Sequence, residues 1–320
     1  ASSDSNGRIY AIPRDGYQLC LVYRRDFFKD AGLNPDKPPR TWDEFRSAAL
    51  QLTKKMKLPS YAIQTQERGG GLHFTNWLYS AGGQVEKRDA NGTWRCVANS
   101  EAGYSVLQML HDMCWKDGTL DKQPLVNADT TVRRVGTGLA AMYIGSVDAL
   151  ASEPDFFSLA PGTYGAGPMP CTNGANVALA GGDLWTVNPQ SSADVQEGAT
   201  LFSIFSLGLD YYEAQLKAHQ ANKDVIGYDD PAIFTGPYLQ KMHAIAKKYI
   251  TVPEKVYDSY FTERRNGVAE PPLFPQEWYD RMDTVVQYML YQKDINIKDT
   301  LDAAAAKFQT ELLDPYNKTL

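Results

Sequence analysis

Apolar residues recur along the chain with two different periods, which predicts a mixture of strands and helices. Short runs rich in β-forming residues, bounded by glycine, proline or polar residues, predict the strands. The run at 18–23 is apolar on both faces, so we expect it to be a central strand of a sheet. The predicted strands are residues 8–13, 18–23, 60–64, 177–180 and 184–187.

Longer segments with apolar residues three and four positions apart predict helices. Thr41 is the expected N-cap of one of them, and Glu44 completes a capping box with it. The triple glycine at 69–71 is predicted to be a flexible loop that precedes the next helix. The predicted helices are residues 26–31, 41–52, 74–80, 100–117, 193–209, 237–249, 279–292 and 298–313.

Strands and helices are mixed along the chain, which predicts an α/β fold with open sheets. The chain has 320 residues, and domains commonly have about 100–200, so two lobes are expected. Residues 136–144 are predicted to carry a helix end into a strand, and 162–182 a connection rich in glycine and proline. The fold class is therefore predicted before any chemistry is considered.

Charge and hydropathy exclude two classes of partner. The net charge is −6, with 32 basic and 38 acidic residues that are mixed along the chain. Without a basic stripe to neutralise phosphates, nucleic acid binding is not expected. A membrane span needs about 20 consecutive apolar residues, and the apolar runs, such as 19–23, are far shorter.

Cysteines and histidines predict no metal chemistry. The four cysteines show no CxxC spacing, which excludes zinc-ribbon and thioredoxin motifs. Cys20 lies in an apolar run and is expected to be a buried thiol, whereas Cys96 and Cys114 are candidates for a disulfide. Four dispersed histidines without metal-ligand spacing give no zinc site.

Aromatic residues are plentiful, with 19 Tyr, 12 Phe and 6 Trp. Most are expected in the core or on ordinary surface. A surplus of Tyr and Trp also suits a sugar site, because a pyranose ring stacks its apolar face on an aromatic ring while its hydroxyls take hydrogen bonds.

Several blocks occur in an order that is typical of one known family. They are YRRDFFKDAGL (23–33), RTWDEF (40–45), WLYSAGG (77–83), VGTGLAAMYIGS (135–146), AGGDLWTV (180–187) and the segment 270–304. Together the chain resembles the family 1 extracellular solute-binding proteins of ABC transporters, which include maltose-binding proteins. Each block alone is weak, but their common order makes the resemblance fairly specific.

This resemblance implies a two-lobed fold of the periplasmic-binding-protein type II class, with three crossovers between the lobes near 15–17, 181–183 and 271–278. Residues 1–15 and 182–272 are expected to form the first lobe, and residues 16–181 and 273–320 the second. In the family a substantial stretch precedes residue 8, so the first lobe is expected to be incomplete here. The segment 226–260 is expected to be additional material.

The resemblance also implies which residues contact ligand in the interlobe cleft. Trp278 matches a stacking tryptophan of the sugar-binding members, although it could also be core packing at the start of an amphipathic helix. Trp185 has the same alternative, and Asp148 stands where the family often has an aromatic residue. The candidate ligand-binding residues are Tyr17, Phe74, Asn76, Trp77, Asp148, Asp183, Trp185, Phe274 and Trp278.

The implied function is that of a monomeric extracytoplasmic component of an ABC importer, possessing neither cofactor nor catalytic residue. It would bind a sugar or oligosaccharide and deliver it to a membrane permease, with a lipid anchor supplied by an upstream segment. One alternative is a different cargo: a peptide, a polyamine, or an anion bound by Arg14, Arg133 or Arg134. A second is a glycan-active enzyme that uses Asp148 and Asp183 as paired carboxylates.

Overall fold

The structure is a computed structural model that describes residues 6–172, 174–229 and 234–320. Its strands are short and belong to four small sheets. They are β1 (Ile12–Pro13), β2 (Tyr17–Gln18), β3 (Cys20–Arg24), β4 (Glu86–Arg88), β5 (Trp94–Cys96), β6 (Met142–Gly145), β7 (Tyr164–Gly167), β8 (Val177–Gly181), β9 (Leu184–Trp185) and β10 (Asn266–Ala269).

Helices form most of the remaining regular structure. They are α1 (Arg25–Asp30), α2 (Trp42–Met56), α3 (Gly69–Ser80), α4 (Glu101–Trp115), α5 (Ala128–Gly136), α6 (Ala149–Phe156), α7 (Ala193–Ser206), α8 (Leu209–Asn222), α9 (Gly236–Ala246), α10 (Asp258–Thr262), α11 (Pro275–Tyr291), α12 (Ile297–Phe308) and α13 (Asp314–Asn317). A 3₁₀ turn at Glu254–Tyr257 precedes α10, and a π turn at Gln309–Leu313 joins the last two helices.

Strand β3 is the centre of the main sheet, as its apolar sequence predicts. It lies between β6 and β7 and pairs with both in antiparallel register. All five of its residues are buried. A second sheet has the strand order β10–β8–β2, and its strand β2 directly precedes β3 along the chain. Strands β1 and β9 pair as a separate two-stranded ribbon.

Helices α3 and α11 pack along each other in the main core. The rings of Phe74 and Trp278 lie 6.2 Å apart, and Trp278 also meets the edge of Phe308 at 5.2 Å. The two helices approach so closely that a Cβ on Gly71 would lie 2.2 Å from the Tyr279 Cα. A glycine is therefore required at position 71 by the neighbouring backbone.

The N-terminus of α3 is capped by a side chain from α11. Asp283 accepts hydrogen bonds from the backbone amides of Arg68 at 2.7 Å and Gly71 at 2.9 Å. These amides are among the donors that a helix start leaves without intrahelical partners, and a carboxylate there is favoured by the helix dipole. The predicted flexible loop at 69–71 is therefore wrong, because the glycines are the buried first turn of a helix.

Helices α7, α8 and α9 form a smaller body. Its own core is a small cluster around Leu216, Ile226 and Ala246. One face of α7 stays uncovered within the described residues: Val195, Leu201, Phe202, Ile204 and Phe205 are between 53% and 60% exposed. So many exposed apolar side chains on one helix are unusual for the surface of a monomeric protein.

Several predicted elements need correction. Only Ile12–Pro13 of the predicted strand 8–13 is a strand, and the predicted strand 60–64 is reduced to isolated bridges of Tyr61. The predicted helix 193–209 ends at Ser206, and Gly208 then starts a new helix, α8. The capping box of Thr41 and Glu44 is confirmed.

The predicted division into residues 1–15 with 182–272 and residues 16–181 with 273–320 stays a prediction, and the contacts of one segment bear on it. Val256, Tyr257 and Tyr260 are buried in a cluster with residues of β3, β6 and β7, and β10 pairs in parallel with β8. The segment 252–269 thus packs against the sheets that contain β3 and β8, whereas it was expected in the first lobe.

The four cysteines carry reduced thiols, so the candidate bridge between Cys96 and Cys114 is not formed. Cys20 is fully buried, as predicted. Among the described residues, no helix is both long enough and apolar enough to cross a bilayer.

Candidate functional site

A cavity of about 600 Å³ lies where the smaller body faces the main sheet. Its walls come from the segment between β1 and β2, the loop that follows β6, and helices α7 to α9. We call this cavity the cleft. The lining residues that bear on its chemistry are Arg14, Asp15, Tyr17, Asp148, Trp185, Phe202, Tyr211, Tyr212, Asp229 and Phe234.

Two of the three predicted crossovers run side by side at the edge of the cleft. Tyr17 pairs with Gly181, and the Arg14 amide donates to the Asp183 carbonyl at 2.8 Å. A Cβ on Gly182 would lie 2.4 Å from the Asp15 carbonyl oxygen, so only glycine permits this approach. The close pairing places Tyr17 and Trp185 at the same opening.

Trp185 and Arg14 form the best-defined wall of the cleft. The Arg14 guanidinium lies 5.3 Å from the Trp185 ring centroid, and the Phe202 ring meets Trp185 edge-on at 6.3 Å. Arg14 also lies 3.6 Å from a carboxylate oxygen of each of Asp15 and Asp183. The Trp185 Nε1–H is buried and finds no acceptor within the described part of the chain. A buried donor of this kind normally has a hydrogen-bond partner.

Opposite this wall the cleft is acidic. Burial and then the charge of Asp148 raise the pKa of Asp229, although a hydrogen bond from the Tyr212 hydroxyl partly offsets them. Burial also raises the pKa of Tyr17 to about 12, followed in effect by the charges of Glu270, Asp183 and Asp15. Burial is the largest cause of both shifts, and neighbouring carboxylates add to it.

A second cavity of about 470 Å³ adjoins the cleft and shares Tyr17, Ser146 and Asp148 with it. It is lined by two buried ionisable groups, His73 and Glu153. Burial lowers the pKa of His73 to about 4, so this imidazole is neutral near pH 7. Burial likewise raises the pKa of Glu153 to about 7, while the Tyr143 hydroxyl donates a hydrogen bond to its carboxylate.

Glu153→Gln is expected to flatten the pH dependence of stability. Between the ordinary pKa of 4.5 and the folded value of about 7, the unfolded chain loses a proton that the folded chain keeps. The free energy of unfolding therefore falls as pH rises through this interval, by about 3 kcal/mol in total for this group. Urea unfolding from about pH 4.5 to about pH 8 should show the variant gaining stability over the parent above pH 7.

Glu197→Gln is the matched control, because Glu197 is exposed on α7. It should leave the pH profile unchanged. Glu86, whose pKa burial also raises to about 7, will keep part of the slope in both variants. An unaltered slope in Glu153→Gln would show that this carboxyl does not titrate as described.

Three of the predicted ligand-binding residues line the cleft: Tyr17, Asp148 and Trp185. Asp183 lies at its rim, where it is exposed and paired with Arg14. The structure therefore brings these four together around the paired crossovers.

Four other candidates, Phe74, Asn76, Trp77 and Trp278, belong to the core and have no exposed surface. The indole N–H groups of Trp77 and Trp278 donate to Tyr61 and Thr75, so neither is open to a ligand.

Asn76 is equally occupied within the protein. Its side chain accepts from the Leu179 amide and donates to the Met169 sulfur. Phe274 packs edge-on against Tyr316, outside the cleft lining. In this structure contacts within the protein engage these side chains, and their role as ligand contacts stays a prediction.

Sequence reasoning missed the wall that α8 and its neighbours supply. Phe202, Tyr211, Tyr212, Asp229 and Phe234 line the cleft, yet none was a candidate. The only signal was the Tyr211–Tyr212 pair on a helix with no strong apolar stripe. Most of this wall lies in or next to material that the family resemblance left without a role.

Comparison with known proteins gives a family match over much of the chain. The family model described as bacterial extracellular solute-binding protein matches residues 1–211. The sn-glycerol-3-phosphate-binding periplasmic protein UgpB of Yersinia enterocolitica is 28% identical over 207 residues, which is 62% of this chain and 45% of that protein. UgpB of Escherichia coli K12 is 26% identical over 194 residues, 58% of this chain and 42% of that protein. The chain thus spans less than half the length of these curated relatives.

Solved structures share the fold. The maltose-bound MalE3 of T. maritima matches with a TM-score of 0.70 at 21% identity, over 97% of this chain and 74% of that one. UgpB from Mycobacterium tuberculosis in complex with glycerophosphocholine matches with a TM-score of 0.70 at 16% identity, over 98% and 73%. These similarities establish a two-lobed α/β fold of the periplasmic-binding-protein kind.

Proposed function

Because this chain belongs to the family of bacterial extracellular solute-binding proteins, we propose that it binds a sugar or oligosaccharide in the cleft. It releases the ligand unchanged to the permease of an ABC importer. It acts outside the cytoplasm, as the periplasmic location in the curated relatives' names suggests. It acts as a monomer. The division into two lobes, with residues 252–269 moved to the second, is part of this proposal.

One observation carries the proposal: aromatic faces and hydrogen-bonding groups converge where the two crossovers meet. Trp185 and Tyr17 offer rings on which a pyranose can stack. Asp148 and Asp183 offer carboxylate acceptors for sugar hydroxyls, and the buried Trp185 Nε1–H, which has no acceptor among the described residues, offers a donor. A cavity of about 600 Å³ is within the range of small-molecule sites.

The paired crossovers also provide the means of signalling. A ligand that contacts both walls binds the closed arrangement better than the open one and so shifts the population toward it. The crossover segments approach closely at Gly181 and Gly182. We therefore expect opening and closing of the cleft to involve φ and ψ changes at only a few residues there. A permease that recognises only the closed arrangement would then accept only the loaded protein.

Ligand-dependent thermal stabilisation tests this proposal. We expect at least one member of a panel of mono- and oligosaccharides to raise the melting temperature, without any change in the sugar recovered afterwards. A ligand at a hundredfold over its Kd adds about 2.7 kcal/mol to the free energy of unfolding. A panel without any stabilising sugar would contradict the proposal, and release of reducing sugar would favour the glycan-active enzyme.

Trp185→Ala should weaken binding of the stabilising sugar by about tenfold or more, because loss of the stacking face removes about 1.5–3 kcal/mol of burial. Isothermal titration calorimetry measures the change. Trp94→Ala is the control, since Trp94 lies on β5 and outside the cleft lining. Equal affinities of the two variants would remove Trp185 from the site.

A polyol phosphate is the second candidate ligand, because the curated relatives are named for sn-glycerol 3-phosphate. The same panel should include it. The lining favours the sugar: Arg14 is the only basic residue among the described lining residues, and its guanidinium already lies beside Asp15 and Asp183.

A further inference from the structure

The charges that line the cleft are unequal. Asp15, Asp148 and Asp229 line it, and Asp183 stands at the rim, whereas Arg14 is the one lysine or arginine among the described lining residues. Four carboxylates thus face one guanidinium. An imbalance of this size gives the cavity a negative potential that low-dielectric walls concentrate.

Arg14 neutralises only one side of the cleft. It lies 3.6 Å from both Asp15 and Asp183, and it covers the Trp185 ring. Asp148 and Asp229 form no ion pair with lysine or arginine in the part of the chain that the structure describes. Their hydrogen-bond partners are the hydroxyls of Ser146 and Tyr212, which carry no charge.

Two histidines also lie near Asp229, and they oppose the rise of its pKa less strongly than burial produces it. His219 is exposed and bonds through Nδ1 to Asp224 at 2.8 Å. Burial lowers the pKa of His243, which favours its neutral form. Asp148 and Asp229 meanwhile repel each other, because the charge of Asp148 adds to burial in raising the Asp229 pKa. A cation in this part of the cleft would relieve that repulsion.

The aromatic residues of the cleft suit a cation as well as a sugar face. Tyr211, Tyr212 and Phe234 line the same cavity as the two aspartates. The electron-rich face of an aromatic ring attracts ammonium and guanidinium groups within about 6 Å of its centroid. Arg14 over Trp185, at 5.3 Å, shows that a ring of this cleft already holds such a group.

We propose that the ligand of the cleft carries an ammonium group as well as hydroxyls, as an amino sugar does, and that this group binds at Asp148 and Asp229. The inference rests on the proposed function. The sugar ring stacks and its hydroxyls form hydrogen bonds near Tyr17 and Trp185, while the two carboxylates select the positive charge. This arrangement disfavours a phosphate-bearing ligand, since the phosphate would bring a further negative charge close to Asp148 and Asp229.

Calorimetric titration with glucose, glucosamine and glucose 6-phosphate tests the charge preference on one scaffold. At mildly acidic pH, where the amine is protonated, glucosamine should bind at least about tenfold more tightly than glucose, which corresponds to about 1.4 kcal/mol. The phosphate should bind most weakly. Added salt should weaken glucosamine binding and leave glucose binding unchanged, because only the former is a charge interaction.

Asp148→Asn and Asp229→Asn should each reduce the preference for glucosamine over glucose by about threefold or more while keeping the shape of the side chain. Asp294→Asn, at an exposed position between α11 and α12, is the control and should keep the full preference. Thermal melting of each variant without ligand confirms that it is folded. The salt dependence of the parent protein provides a second readout that needs no variant.

The outcomes separate the two proposals. If glucose binds as tightly as glucosamine, if the phosphate binds best, or if both Asn variants keep the preference, the ammonium inference fails while solute binding stands. If no sugar of any charge binds, in this series or in the wider panel, the proposed function fails and the inference falls with it.

Discussion

Trp278→Ala is expected to lower the free energy of unfolding by about 3–5 kcal/mol. Trp278 has no exposed surface, its ring packs between Phe74 and Phe308, and its indole N–H donates to Thr75 at 3.0 Å. Truncation removes the buried ring, leaves a cavity between α3 and α11, and deprives the hydroxyl of its partner. Urea unfolding followed by circular dichroism measures the loss.

Tyr291→Ala, at the other end of α11, is the control, because that ring is 69% exposed and its removal should change stability by less than about 0.5 kcal/mol. The same pair of variants separates core packing from ligand contact. If Trp278→Ala kept its stability and lost ligand affinity, the cleft position that the family resemblance implies would be correct. The conformation described above would then be only one of those that the protein adopts.

Gly71→Ala adds a single methyl group and is expected to destabilise the protein by about 3 kcal/mol or more. The new Cβ would lie 2.2 Å from the Tyr279 Cα and 2.4 Å from its carbonyl oxygen. Backbone atoms cannot turn aside as a side chain does, so α3 and α11 would have to separate. Their separation would also stretch the hydrogen bonds that the backbone amides at the start of α3 donate to Asp283.

Gly198→Ala is the matched control and should have the opposite sign. Gly198 lies within α7, and nothing lies within 4 Å of its added Cβ. The substitution should stabilise the protein by about 0.5–1 kcal/mol, because alanine restricts the unfolded chain and favours a helix. Chemical denaturation of both variants tests the pair. Equal effects at the two glycines would refute the close approach of α3 and α11.

Local patterns predicted the elements whose stability is decided locally. The capping box of Thr41 and Glu44 lies within a single helical turn, so the sequence contains the whole interaction. The apolar run around β3 predicts a strand that is buried on both faces, and its neighbours in the sheet are consistent with that. Tertiary contacts were not needed for these assignments.

The glycines at 69–71 show where local reasoning ends. Three consecutive glycines have a low helix propensity, so a loop is the natural prediction. The helix forms because Asp283, 212 residues away from Gly71, accepts the free amides, and because only glycine fits against α11. Neither cause is visible in a window around residue 70.

Only some of the residues that line the cleft were predicted, because the others also depend on contacts between distant segments. Tyr17 and Trp185 adjoin the paired crossovers, and the order of the family blocks locates those segments. Trp278 lies on an amphipathic helix, and its periodicity cannot distinguish the side that faces a cleft from the side that faces a core. Tyr212 and Asp229 were missed because α8 and the segment after it match no block of the resemblance.

The contact between α3 and α11 also determines when folding can finish during synthesis. Asp283 leaves the ribosome long after Gly71, at translation rates of about 5–20 residues per second. Until then the nascent α3 lacks both its cap and the partner for its apolar face. This part of the core therefore cannot be completed before most of the chain has been synthesised.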